Sequence, residues 1–344
     1  MRQIILLLIL FALKFNVVEA QMVFTFPQND AIISDTSITF SWLNDNQTNL
    51  YVAEDSLFNT LIVSQNNILS NHYFVNGLNY NQKYFAKIVC TTTNSSEIIS
   101  FYIKAMSDYS IKYWFIANSI NDTTLGLVNS WSDSIQNYIV NQSNSTNKPQ
   151  IIINNSLINN NNTIAFNGDD FLTGYDSFDI GHKSQTIIIF GKVTQNSGYF
   201  LAKGPYATTN SYALGIFGNG KIAYLYLDEN NCTISGNYSK GSFDIITAIT
   251  DRQETLNVLA VNNINLSSNN NISNSTYNHN NISNFEIGKS SSYYLNGEIA
   301  EIIALDTVLA DQGLDTIYSY LRYKYVPPVN LQDSLIIDYG FQDT

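Results

Sequence analysis

Glu298 and Glu301 sit three residues apart in Asn296-Gly-Glu-Ile-Ala-Glu-Ile-Ile303. Paired carboxylates are the machinery of glycoside hydrolysis, which needs them about 5–10 Å apart across a sugar. Glu298, Ala300 and Ile302 alternate against Ile299, Glu301 and Ile303, as on a strand. A regular strand would point the two glutamates to opposite faces. Asp228 and Glu229 are adjacent and diverge for the same reason. Nucleophilic catalysis has less to work with. His72, His182 and His279 are the only histidines, no Gly-x-Ser-x-Gly occurs, and no cysteine lies near a histidine. That scarcity also disfavours zinc, which needs clustered His and Cys. No catalytic residue is expected, and the chain reads as a non-enzyme.

Binding chemistry has more candidates. Asp169, Asp170, Asp176 and Asp179 crowd one short stretch. Hard carboxylate oxygens suit Ca2+, so these four are the candidate metal ligands. A sugar would need aromatic platforms beside Asn or Asp hydrogen-bonding groups. Tyr206, in Gly204-Pro-Tyr-Ala-Thr-Thr, and Tyr293, before the closing hairpin, are the candidate stacking residues.

The elements that position these residues read as strands. Ile38–Trp42, Leu50–Ala53, Tyr73–Leu78, Tyr84–Cys90 and Ile98–Ile103 are short and separated by polar turns, the spacing of a β-sandwich. Further strands are predicted at Thr186–Val193, Tyr199–Ala202, Tyr212–Phe217, Lys221–Leu227, Phe243–Ile249 and Thr255–Val261. Asn296-Gly297 is expected to make a tight turn before the closing strand. Leu314, Ile317, Tyr318 and Leu321 share one face of a helix begun by Asp311, expected to cap an open end of the sandwich.

Composition bounds the rest. Residues 1–20 carry Arg2, an apolar run from Ile4 to Leu13 and small residues at Val18 and Ala20, the pattern of a secretory signal peptide. The run is too short to span a bilayer, so the mature chain is expected outside the cell or on its surface, without membrane insertion. Loss of Arg2, Lys14 and Glu19 with the leader takes the net charge from −12 to −13. No basic patch is present, which excludes nucleic acid as a partner. Only Cys90 and Cys232 occur, so disulfides are not the framework. Asparagine is over-used, with 47 residues, and makes Asn-x-Ser/Thr triplets such as those at Asn46, Asn94 and Asn274.

Two stretches resemble known families. Trp42 on an early strand, with Leu78 and Tyr84 flanking a turn, resembles a fibronectin type III domain over residues 22–105. Phe26-Pro-Gln-Asn and Glu54-Asp-Ser-Leu-Phe58 give it the flavour of secreted bacterial modules, which implies mostly bare Asn-x-Ser/Thr triplets. Residues 107–325 resemble a concanavalin A-like, laminin G-like jellyroll. The carriers are Trp131-Ser-Asp-Ser, Lys148-Pro-Gln-Ile-Ile-Ile153, Phe166-Asn-Gly-Asp-Asp-Phe-Leu172, Ile287-Gly288, Ile299-Ala-Glu301, Leu309, Tyr320-Leu321 and Lys324-Tyr325. Laminarinase-like relatives of that fold place their carboxylates on one strand as Glu-x-Asp-x-Glu, a run this sequence lacks. The resemblance implies an all-β, two-sandwich protein with a short C-terminal capping helix. It implies a secreted non-catalytic binder of glycan or of a cell or matrix surface. The alternatives are an accessory region of a larger exported hydrolase and a structural adhesin stalk. Residues 326–344 read as a linker or the start of a further β-module.

Overall fold

A computed structural model describes residues 22–43, 46–176, 178–179, 183–205, 210–227, 232–270, 280–309 and 311–326. Residues 1–20, expected as a leader, and Tyr206, Asp228-Glu229, His182, His279 and the residues beyond 326 lie outside the described residues. The chain divides into two compact units, with boundaries at Ile103 and Lys104. Both are built from strands, and the one α-helix among the described residues is Asp311–Tyr325.

The first unit pairs a three-stranded sheet, Val23–Phe26, Ile38–Leu43 and His72–Val75, with a five-stranded one. The second sheet runs Ala31–Ile33, Ser96–Ile103, Gln82–Cys90, Thr48–Ala53 and Leu61–Ile68. Alternation works as expected: Ile38, Phe40 and Trp42 are buried on one side, and Tyr84, Ala86, Ile88 and Cys90 meet them from the other. Leu78 is buried, and Tyr84 turns its hydroxyl back to accept a hydrogen bond from the Asn79 N–H at 2.8 Å. That bond fixes the corner before the strand.

The second unit is a larger sandwich. One sheet is ten-stranded, running Thr123–Thr124, Leu127–Val128, Gln150–Asn155, Asn161–Asn167, Asn296–Leu305, Gln185–Val193, Asp244–Asp251, Leu256–Val261 and Ile264–Asn269. Its tenth strand, Ile111–Ile116, pairs with the C-terminal half of Asn296–Leu305. The facing sheet is eight-stranded: Ser130–Ser132, Ile139–Asn141, Leu172–Gly174, Phe285–Ile287, Gly198–Lys203, Ser211–Ile216, Lys221–Leu227 and Cys232–Asn237. Trp131, Phe166, Ile187, Ile189, Leu214 and Ile287 are among the side chains that fill the space between them. Trp131 donates its ring N–H to the Ile116 carbonyl at 3.1 Å. Two residues on, buried Asp133 accepts the backbone N–H groups of Trp114, Ile135 and Gln136 at 2.5, 3.2 and 2.6 Å. The Trp-x-Asp motif thus locks a turn to the tenth strand.

Three expectations need correction. The helix does not cap an open end. Ile317, Tyr318, Leu321 and Tyr325 pack onto Ile188, Phe190, Ile245 and Ile303, on the outer face of the ten-stranded sheet. Asn296-Gly297 is not a turn but the start of the closing strand. Gly297 is there because a Cβ would collide with the Lys192 carbonyl.

The third correction concerns the carboxylates. Ile299 and Ile302 both face the sandwich interior, while Ala300, Ile303 and Leu305 face the helix. The register against the neighbouring strand slips there: Phe190 pairs with Glu301, and Gly191 with Ile299. One extra residue is inserted, a β-bulge. The bulge cancels the odd spacing, and Glu298 and Glu301 share the outer face.

Candidate functional site

The shared face does not make the two glutamates a cleft. Glu301 is fully buried. Its Oε1 accepts the Trp114 ring N–H at 2.5 Å. Its Oε2 accepts Lys324 Nζ at 2.7 Å and the Tyr325 and Tyr320 hydroxyls at 2.5 and 3.3 Å. All four partners are side chains, three of them from the helix. Beside this carboxylate, burial first and Glu301 second push the Tyr325 hydroxyl well above its ordinary pKa. Glu298 pairs with Lys192 Nζ at 2.7 Å and accepts from Thr163 and Asn155 at 2.8 and 3.0 Å. Both carboxylates fasten elements together.

The four candidate metal ligands fall into two places. Asp169 is exposed. Asp170 is buried beside it and accepts the Asn167 N–H at 3.1 Å. Burial pushes its carboxyl up to about 6 against the pull of that bond. Asp176 and Asp179 instead flank the ammonium of Lys203, whose side chain is wholly buried. Asp176 binds it directly, Asp179 Oδ1 lies 3.6 Å away, and the Ser283 carbonyl accepts from it at 2.8 Å. An oxygen cage of the kind Ca2+ would use is filled by a lysine. Among the described residues, no group of three or more His, Cys, Asp or Glu is arranged to hold a metal ion. The loop carrying these acids also carries Phe178, stacked between Phe285 at 3.8 Å and Tyr113 at 3.4 Å. Its carbonyl accepts the Tyr212 hydroxyl at 2.8 Å.

The remaining site lies on the outer face of the eight-stranded sheet. Register brings Asn141, Thr173, Glu286, Ala202, Ala213 and Leu225 into one row across it. The next row, about 7 Å along the strands, contains Tyr199, Gly215, Ala223 and Ser235. Small side chains thus make the centre of this face, with Tyr199 and Leu225 packed against them. Gly215 has no space for a Cβ, which would run into the backbone of Gly198 and Tyr199. At the rim, the hairpin of Lys289–Ser290 and Tyr293–Tyr294 raises Tyr293, 45% exposed, edge-on to Tyr199 at 6.3 Å between ring centroids. Glu286 is half-buried and lies 3.4 Å from Lys289 Nζ. Burial raises the Glu286 pKa, and Lys289 opposes the shift. Lys289 also sits over the Phe171 ring at 4.1 Å. Thr173, beside Glu286, buries a hydroxyl with no partner among the described residues.

Of the sequence candidates, Tyr293 is placed on this face and Tyr206 lies outside the described residues. Glu286, Lys289 and Thr173 were not foreseen. One signal was available: Glu286-Ile-Gly-Lys289 is an i, i+3 charged pair in a stretch otherwise nearly free of charge.

No known protein family model matches the sequence, and no curated protein matches it either. Solved structures are similar to it at low identity and at TM-scores below 0.5. The CBM40 module of the Ruminococcus gnavus IT-sialidase, bound to alpha2,3 sialyllactose, is similar at TM-score 0.34 and 15% identity, over 40% of this chain and 84% of its own. The binding domain of Paraclostridial Mosquitocidal Protein 1 is similar at TM-score 0.46 and 10% identity, over 61% of this chain and 52% of its own. The Trypanosoma rangeli sialidase, with the inhibitor DANA, is similar at TM-score 0.44 and 11% identity, over 87% of this chain and 53% of its own. This chain therefore spans about half the length of the last two. Likeness of this degree carries nothing about ligand or chemistry.

Proposed function

We propose that the protein is an exported, non-catalytic binder of carbohydrate, and that the outer face of the eight-stranded sheet is its binding surface. One observation carries the reading. An exposed aromatic, Tyr293, stands beside a face centred on Ala202, Ala213, Gly215 and Ala223, with Glu286, Lys289 and Thr173 adjacent. Sugars are recognised by an aromatic platform together with a few placed polar groups. Tyr293 offers an exposed ring at the rim of this face, and the Glu286 carboxylate and Lys289 ammonium can orient the hydroxyls of a sugar laid against it. We assign the first unit as fibronectin type III-like. Its buried Trp42 and the Leu78–Tyr84 corner support this. The second unit we assign as a concanavalin A-like sandwich. Export is supported by the leader pattern of residues 1–20, and among the described residues no helix is long and apolar enough to cross a membrane.

A glycan array probed with the full mature chain tests this reading. Binding to a restricted set of glycans is expected, falling at least tenfold in Tyr293→Ala and in Glu286→Gln. Silence across the array, or binding indifferent to both substitutions, sinks it.

A further inference from the structure

Open sheet edges invite edge-to-edge pairing, and proteins blunt them with lysines, prolines or other charges. Among the described residues, the strand paths of the two sheets end on Thr123–Thr124 and Ile264–Asn269 in one and on Ser130–Ser132 and Cys232–Asn237 in the other, while Ile111–Ile116, with a single partner, carries Lys112. None of the four contains a Lys, Arg, Asp, Glu or Pro. On one side of the sandwich the two edges lie against each other, since a Cβ on Gly236 would sit 2.6 Å from Leu266 Cβ. Ile264 on that side is 66% exposed. Lysine, proline and charge are absent as protection from these four strands, and only Thr123–Thr124 and Ser130–Ser132, of two and three residues, are blunted by shortness.

Each edge instead meets an Asn-x-Ser/Thr triplet. Asn121-Asp-Thr123 runs into the first edge strand, and Asn265-Leu-Ser267 lies within the second. Asn237-Tyr-Ser239 ends the edge strand Cys232–Asn237. Asn141-Gln-Ser143 lies on the strand beside the remaining edge, with Asn141 paired to Ser130. All four asparagines are exposed. The chain has 13 such triplets, and at two of them the carboxamide is already spent. Asn161 spends its carboxamide nitrogen on the Lys324 and Ile158 carbonyls at 2.7 and 3.0 Å, and Asn281 spends its own on the Asn210 carbonyl at 2.5 Å. A sugar on either nitrogen would remove those bonds.

We propose that Asn121, Asn141, Asn237 and Asn265 are N-glycan acceptors, and that their glycans shield the uncharged sheet edges from pairing with other chains. The donor class is a polyprenyl-diphosphate oligosaccharide. The carboxamide Nδ2 forms the bond to the anomeric carbon and gives up one proton, while the carbon–oxygen bond to the lipid diphosphate breaks and the diphosphate departs with the electron pair. This departs from the expectation of bare triplets at these four positions only. It rests on the export half of the proposed function; of the four, Asn141 stands at the end of the row that carries Glu286.

The test starts from the protein purified from the cells that make it. Enzymatic release of N-glycans in heavy-oxygen water tags each formerly occupied asparagine for peptide mass spectrometry. Tags at the four edge asparagines, with Asn161 and Asn281 untagged, are expected. Four bare edges overturn the proposal, as does a tagged Asn161 in folded protein. The shielding role is read separately, by light scattering on protein secreted from a glycosylating host behind a heterologous leader. N237Q with N265Q should turn a monomer into a species whose apparent mass at least doubles with concentration. Ser239→Ala with Ser267→Ala, which removes the same glycans and keeps both asparagines, should do likewise. Folded variants that stay monomeric overturn it. Failure of the native leader to export the chain would count against the export reading alone, because the heterologous leader bypasses it.

Discussion

Glu301 accepts from four donors with no solvent access. Removing it leaves the Lys324 ammonium, 19% exposed, without its counter-charge. Breaking a buried pair in this way costs about 3–5 kcal/mol. Glu301→Ala should therefore lower the unfolding free energy of the second unit by about 3 kcal/mol, read by urea titration. Glu301→Gln should cost less, because an amide oxygen still accepts. Asp170 makes a prediction about pH. Its folded-state pKa, about 6, lies above the 3.8 of an unperturbed carboxyl. The folded state holds that proton more tightly than the unfolded chain, so the contribution is full below about pH 4 and is lost as pH rises through about 6. At 1.36 kcal/mol per unit, wild type should lose about 2 kcal/mol between pH 4 and 7 relative to Asp170→Asn. Parallel stability curves for the two proteins would refute this. Tyr84 was legible at this scale because a corner tyrosine acts over a few residues of local sequence. Lys203 was not: it reads as one more residue in Tyr199-Phe-Leu-Ala-Lys203, and its partners Asp176, Asp179 and Ser283 are brought in by strands far off in sequence.

The bulge at Ala300 decides what the closing strand does. Deleting Ala300 removes the extra residue and leaves Glu298 and Glu301 two apart, so on a regular strand both still face outward while Ile299 and Ile302 stay inside. The deletion should therefore fold, with the strand signature in circular dichroism kept. An unfolded spectrum would mean that the bulge itself is required. The sequence could not reveal the bulge, because Ile299-Ala-Glu-Ile-Ile-Ala-Leu305 stays largely apolar in either phase. The strand Gln185–Val193 was read to within one residue for the opposite reason, since a run buried on both faces needs no phase. The loop carrying Asp176 and Asp179 yields a further prediction. With an ammonium already between them, millimolar Ca2+ or a chelator should move the melting temperature by less than about 1 °C. A rise of several degrees with Ca2+ would point to ligands outside the described residues.

Each unit has its own core, the first built around Phe40, Trp42 and Tyr84 and the second around Trp131, Phe166 and Leu214. Tyr84→Phe removes only the corner bond, worth about 1 kcal/mol. It should lower the midpoint of the first unit and leave that of the second in place, as two resolved steps in calorimetry. The all-β class and the division into strands were legible in period-two patterns. The proposed binding face was not, because it depends on which residues register brings beside Tyr293, and register leaves no mark on any single strand. The wholly buried Lys203 has one more consequence for the molecule as a reagent. Coupling chemistry that acylates free amines will reach exposed side chains such as Lys183 and Lys83 long before it reaches this one. The protein can therefore be tethered or dye-labelled through its lysines with the loop beneath Phe178 still fastened, and late labelling of Lys203 would report that loop coming open.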